Sequence, residues 1–276
     1  MAGASLDDLR ELALRAASAG AAVISAGVAS GRSAAAEVKG HGDYVTATDR
    51  AAEAAVVEVL LAGAPDIAVL AEESAGAPRP APAGRCWAVD PLDGTTNFVR
   101  RFPVVGCSVG LMEDGLPVAG AVVAPLLGAS WTAARGLGAF DADGRRLAVR
   151  DDGGRGVAAT GFPFRRPELR PRYLGVFDRA LEVNEDLRRA GAASLDLAYS
   201  AQGTFDGFFE LRLSLWDVAA GGVLVTEAGG VVTDWDGDPR GPYQTGDILA
   251  GAPAWHERML DITRAAQTAV TAGAVQ

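Results

Sequence analysis

Lysine occurs once in this chain, at Lys39, and histidine twice, at His41 and His256. Cysteine also occurs only twice, at Cys86 and Cys107. Two thiols, neither in a C-x-x-C pair, cannot build a Cys-rich zinc site. They read as buried, reduced thiols of an intracellular protein. Positive charge is scarce overall: Lys+Arg is 25 against Asp+Glu 35, a net charge of -10. Such a chain has no general pull toward nucleic acid or an anionic membrane, so neither is expected as a partner. A phosphorylated substrate would be repelled unless a cation sat in its site. The N-terminal MAGASLDDLRE is acidic where a signal peptide is basic. No apolar run approaches the ~18 residues of a membrane span. The expected location is the cytoplasm.

What remains is a globular composition, 49% hydrophobic and 22% charged over 276 residues. That suits one large domain or two modest ones. Ser5 with Asp8 resembles a capping box, and the apolar spacing behind it predicts a helix to about residue 30. A second helix is predicted over 49–62. IAVLAEE (67–73) and CWAVD (86–90) read as buried strands that end in acid. From 104 the pattern predicts two strands around EDG, then an antiparallel pair with DADG as its turn. DDGGRG (151–156) reads as a hinge. Strands and helices then alternate, ending in a short helix near 254–265 and a frayed tail. The expectation is an α/β protein with an α+β N-terminal half, divided into 1–150 and 151–276.

Three motifs are decoys. GCSVG (106–110) matches G-x-S-x-G, but its surroundings read as strand rather than strand-turn-helix. DWDGD (234–238) resembles a calcium loop with its glycine one place early, and reads as a hairpin turn. GLGAF (136–140) has two glycines of a dinucleotide fingerprint and no helix after it.

The acids carry more. Glu72 and Glu73 close one apolar run, Asp90 and Asp93 close another, and Asp217 stands just inside a helix start. Each follows an apolar run, where sites collect in α/β architectures. Hard cations such as Mg²⁺ take oxygen ligands of this kind. Pro91 stiffens the turn between Asp90 and Asp93. Two carboxylates so held can serve two ions roughly 4 Å apart, with the Leu92 carbonyl as a further ligand. Gly94, Thr95 and Thr96 then open a helix whose free N–H groups suit an anion. Metal charge and helix start together would admit a phosphate to an acidic protein.

WAVDPLDGTTNF (87–98) resembles the D-P-[IL]-D-G-T-x-N signature of the inositol monophosphatase family, Mg²⁺-dependent and lithium-sensitive phosphatases. WDVAAGG (216–222) resembles that family's W-D-x-A-[AG]-G. DYVTATD (43–49), the acids at 72–73 and GAASLDLAYSAQGTFDGFFE (191–210) extend the likeness over about residues 10–262. The resemblance implies a five-layer αβαβα sandwich, a homodimer and two or three Mg²⁺ per site. It assigns Glu72, Asp90, Leu92, Asp93 and Asp217 as metal ligands; Glu73 is not assigned. Glu72 and Thr95 would orient the attacking water, with Asp49 supporting Thr95, although Asp49 also suits a helix N-cap. Gly94, Thr95 and Thr96 would cradle phosphate. Gly191, Ala192, Ala193 and Glu210 would meet the substrate alcohol beside Asp93 and Asp217. Lys39 resembles a family lysine near the metals. Ala192 departs from the family's small polar residue there, which touches the substrate more than the chemistry. The implied reaction is hydrolysis of a small phosphate monoester. Myo-inositol monophosphate is the first expectation, and histidinol phosphate or another sugar or nucleotide phosphate the alternative. A non-catalytic interaction protein that kept the fold is the reading from a different class.

Overall fold

The computed structural model describes residues 4–30, 36–40, 43–75 and 83–273, with backbone alone for 36–40, 43–45 and 268–273. The first helix, α1 (Leu6–Ala29), begins as the sequence predicts. Ser5 Oγ accepts the Asp8 N–H at 3.1 Å, and the Asp8 carboxylate accepts the Ser5 N–H at 3.0 Å. Leu9, Leu12, Ala16, Gly20, Ile24 and Gly27 form its buried stripe. A short antiparallel ribbon, β1 (Ala36–Gly40) and β2 (Asp43–Thr46), follows. Helix α2 (Ala47–Gly63) starts two residues before the apolar spacing predicts, because Thr46 is the N-cap and Asp49 closes a second capping box. One expectation is corrected here: α1 is long and apolar enough to cross a membrane by length and composition. Alanine and glycine supply much of that character, and the buried stripe lies against α2 and the first sheet.

The first sheet has six strands: β3 (Ala68–Ala71), β4 (Arg85–Asp93), β5 (Gly106–Glu113), β6 (Leu116–Ala124), β7 (Ala129–Ala134) and β8 (Gly138–Asp141), side by side in chain order. Only β3 and β4 are parallel. Two short helices interrupt it, α3 (Glu72–Ala75) and α4 (Thr95–Arg100). Strand β4 is apolar at every step from Cys86 to Val89 because both its faces are covered there. Cys86 and Ala88 join one core cluster, and Trp87 and Val89 another. Both cysteines are free and buried; Cys107 lies in the second cluster, away from Cys86. The turn at Asp114–Gly115 has positive φ at both residues (51° and 81°), the twist a tight hairpin needs. DADG is not the turn of the β7–β8 pair. That pair turns at 135–137, and DADG folds the chain back so that Phe140 bridges Arg146.

The second sheet is built from β9 (Val157–Thr160), β10 (Asp186–Arg188), β11 (Gly207–Glu210), β12 (Val231–Thr233) and β13 (Ile248–Gly251), in the order β10-β9-β11-β13-β12. Its helices are α5 (Arg170–Val183), α6 (Ala193–Ala201), α7 (Leu215–Glu227), the short α8 (Pro242–Thr245) and α9 (Pro253–Gly273). DWDGD is a turn closed by Asp234 Oδ1, which accepts the N–H groups of Asp236 and Asp238 at 2.9 and 2.8 Å. It leads into α8 rather than directly into a hairpin strand. The final helix runs past the predicted 265 to Gly273, while the end of the tail lies outside the described residues. The layers are α1 and α2, the first sheet, α6 and α7, the second sheet, then α5 and α9. This is the αβαβα sandwich, with apolar clusters filling the spaces between layers.

Two glycines set the depth of the middle layer. Gly110 and Gly120 face each other across β5 and β6. A Cβ on Gly110 would stand 2.6 Å from Ala219 Cβ and 2.7 Å from Ala220 N. One on Gly120 would stand 2.8 Å from Ala220 Cα. Helix α7 therefore sits in a notch in the sheet. Gly110→Ala is expected to cost about 1–3 kcal/mol, the scale of overpacking a filled core. It should also lower turnover, because α7 carries Asp217. Urea unfolding beside a kinetic assay checks both; unchanged values would mean the notch has slack.

Candidate active site

The site begins where β4 stops being regular. Asp90 lies opposite Ser108 and Asp93 opposite Gly106, so β4 carries one residue more than its partner over this stretch. That is a β-bulge, which re-aims side chains. It also explains how Pro91, lacking an N–H, is tolerated in an interior strand. Asp90 Oδ1 accepts the Leu92 N–H at 3.0 Å inside the bulge. Strand β3 runs parallel with Ala71 level with Val89, so Glu72 emerges beside Asp90. Asp217 enters from the middle layer at the third position of α7, its Oδ2 accepting the Ser214 N–H at 2.7 Å.

Asp90 is 2% exposed. Burial, then the charges of Glu72, Asp93 and Asp217, push its carboxyl well above the usual range. Burial raises Asp93 to about 6, against hydrogen bonds from Ser194 that pull it down. Burial and the Asp93 charge raise Asp217 to about 7. Glu210, at the end of β11, is raised to about 8 by burial, with Arg189 and Arg165 pulling the other way. Five acids, Glu72, Asp90, Asp93, Glu210 and Asp217, thus share one field, and among the described residues the leading charges acting on Asp90 are of its own sign. The donor set fits a hard divalent cation: oxygen ligands and excess negative charge. Among the described residues no three such side chains close on a single point. Repulsion among like charges opposes closure, and Asp93 and Asp217 each commit one oxygen to a neighbouring backbone.

Beside the acids stands a second cluster. Gly94 has φ 87°, and a Cβ there would meet the Val104 carbonyl at 2.9 Å. Glycine is required by the backbone on both counts. The next residue, Thr95, holds its Oγ1 3.1 Å from Asp49 Oδ1 and 3.2 Å from the Leu92 carbonyl oxygen. Asp49 does two jobs: Oδ2 accepts the Thr46 N–H at 2.8 Å to cap α2, and Oδ1 meets Thr95. Its capping position is the third residue of the helix rather than the N-cap. Burial raises its carboxyl above the usual range.

The structure brings nearly every sequence-predicted residue together. Gly191 and Ala192 lie against Gly94. The Ala193 N–H reaches Asp93, and Glu210 acts on Asp93 through charge. Thr96 is exposed at the start of α4. The Glu73 backbone N–H donates to Glu53 Oε2 at 2.7 Å, tying α3 to α2. The side chain of Lys39 lies outside the described residues. Sequence reasoning missed four participants. Ser194 bonds Asp93 with both N–H and hydroxyl. Asn97 Nδ2 donates to the Val104 and Ala190 carbonyls at 2.7 and 2.9 Å, pinning 191–193 to the bulge. Arg189 lies over the Phe162 and Phe164 rings and offsets Glu210. Asp196 is a buried acid of α6 whose carboxyl is held well above the usual range by burial and by Glu210. Asn97 and Ser194 were visible inside quoted motifs, but only their tertiary partners give them a role.

Known proteins share this architecture. A Nus factor SuhB of Escherichia coli (strain K12) is 40% identical over 225 residues, covering 80% of this chain and 83% of that protein. The crystal structure of extragenic suppressor protein suhB from Bartonella henselae is 33% identical with a TM-score of 0.83, over 92% of this chain and 98% of that one. Inositol monophosphatase from Anabaena (Nostoc) sp. PCC 7120 is 34% identical with a TM-score of 0.81, over 93% and 95%. The sequence profile of the inositol monophosphatase family matches residues 5–268. The bulged DPLDG strand, the acids facing it and this match lead to one assignment: the chain belongs to the inositol monophosphatase family.

Proposed function

We propose that the protein hydrolyses a small phosphate monoester in the presence of Mg²⁺, with myo-inositol monophosphate as the first candidate substrate. The observation that carries this reading is Asp90, buried at the end of its strand among Glu72, Asp93 and Asp217. Those four carboxylates and the Leu92 carbonyl would hold the metal. When bound, Mg²⁺ supplies Lewis acidity and positive charge against the phosphoryl group.

The chain's own residues supply orientation. Thr95 has one hydroxyl proton, and both acceptors within reach of it, Asp49 and the Leu92 carbonyl, belong to the protein. Toward a water the Thr95 oxygen can therefore only accept. It would turn the water's free lone pair away from itself and toward phosphorus, while Glu72 receives the water's proton. Backbone N–H groups at 94–96 would steady phosphoryl oxygens through the in-line displacement. Gly191, Ala192, Ala193 and Glu210 would meet the alcohol. A Glu210 carboxyl raised to about 8 is protonated over much of the neutral range, so it can donate to a hydroxyl as well as accept. That versatility suits a polyol. A homodimer in the cytoplasm completes the proposal.

A second reading is favoured by the name Nus factor that the SuhB relatives bear: a role through binding a partner rather than through turnover. One assay separates the two. Phosphate release is measured with Mg²⁺ on myo-inositol 1-phosphate, L-histidinol phosphate, fructose 1,6-bisphosphate and adenosine 3′,5′-bisphosphate, each with and without Li⁺. A single preferred, Li⁺-sensitive substrate is the expected result. No release from any of them, despite bound Mg²⁺, would favour the binding role.

A further inference from the structure

Asp93 and α6 come from opposite ends of the chain, and Ser194 joins them. It is fully buried. Its backbone N–H meets Asp93 Oδ2 at 2.8 Å and its hydroxyl meets the same oxygen at 2.6 Å. The Ala193 and Gly94 N–H groups also bond this carboxylate. The N-cap residue of α6 is Ala192, which has no side chain able to cap. Asp93 therefore caps the helix from 101 positions away, as a carboxylate at a helix N-terminus does. Backbone N–H groups alone would serve that cap. The hydroxyl adds another charge-assisted bond, and both Ser194 bonds fall on one oxygen.

We propose that Ser194 is a positioning residue: its hydroxyl fixes the rotation of the Asp93 carboxylate, committing Oδ2 to α6, and so sets the orientation in which that carboxylate meets the cation. The inference rests on the reading of Asp93 as a metal ligand. Groups behind a metal ligand commonly change metal affinity by about 10–100-fold when altered. A hydroxyl that only joined the layers would affect stability and leave the ion untouched.

The test is calorimetric titration of Mg²⁺ into substrate-free wild type, Ser194→Ala, Ser194→Cys and Asp93→Asn, with thermal melts in EDTA alongside. Ser194→Ala removes one oxygen and adds no volume. It is expected to weaken Mg²⁺ binding about 10-fold, while turnover at saturating Mg²⁺ returns close to the wild-type value. Ser194→Cys fills the site with a slightly larger atom and a weaker donor, and should fall between the two. It also guards against a folding defect in the alanine variant. Asp93→Asn should lose most Mg²⁺ affinity. If the Ser194 variants bind Mg²⁺ like wild type while Asp93→Asn does not, Ser194 is structural and the inference falls alone. If Asp93→Asn binds Mg²⁺ normally, the ligand reading falls and takes the inference with it.

Discussion

Asp90→Asn is expected to lower Mg²⁺-dependent phosphate release by more than about 100-fold, the upper range for groups one step behind a metal ligand. The same change should stabilise the metal-free protein. Asparagine keeps an oxygen for the Leu92 N–H, so the bond inside the bulge survives. It removes a buried charge whose neighbours are Glu72, Asp93 and Asp217. Relief of a buried carboxyl held among like charges is worth on the order of 1–3 kcal/mol. The gain depends on pH. The gain grows as pH rises above the ordinary carboxylate range, because the unfolded chain has then released a proton that the native Asp90 still holds. Urea unfolding in EDTA at pH 5 and pH 8, beside the activity assay, checks both halves. Loss of stability at pH 8 would show that Asp90 is paired and not repelled. Near-normal activity would remove it from the ligand set.

The second large effect is a metal-free stability that falls as pH rises from about 6.5 to 8. Burial raises Asp217 to about 7 and Glu210 to about 8. Unfolded, they would lose their protons near 3.8 and 4.5. Across this window the unfolded chain has already released those protons while the native state still holds part of them. The native state binds more protons, so each step up in pH disfavours it. Asp93, raised to about 6, completes its share of the decline below this window. His256 acts in the opposite sense: burial lowers it to about 4, so it destabilises the fold only as pH falls below about 6.5. The window above 6.5 therefore belongs to the carboxylates. Mg²⁺ should reverse the trend, since it binds the ionised ligands and binds them better as pH rises. At 100 times its dissociation constant it adds about 2.7 kcal/mol. Thermal melts across pH 6.5–8, in EDTA and in Mg²⁺, would show converging or crossing curves. Parallel flat curves would mean that these acids are solvated and do not share a field.

Much of this molecule was legible before its fold was known. Helices α1, α5 and α7 follow from helical spacing and from start signals such as Ser5–Asp8. Strands β3 and β4 follow from short apolar runs closed by acids, with Glu72 just past one and Asp90 and Asp93 ending the other. Other features resisted. DADG is a good turn, but local turn chemistry cannot say which strand it turns toward. The apolar spacing put the start of α2 at 49, because Thr46 and Asp49 cap the helix from outside its apolar stripe.

The sequence by itself determined which acids are present, that a proline stiffens the turn between two of them, and that glycine must follow at 94. Those are properties of residue type and short spacing, and neighbours along the chain settle them. Tertiary structure alone decided which acids share a field, and so which are raised. Asp217 is 124 positions from Asp93, and only the glycine notch under α7 brings the two together. The same holds for Ser194 on Asp93 and for Asn97 on the Ala190 carbonyl. Charge and hydrogen bonding act through space over a few ångströms, and distance along the chain does not report that separation.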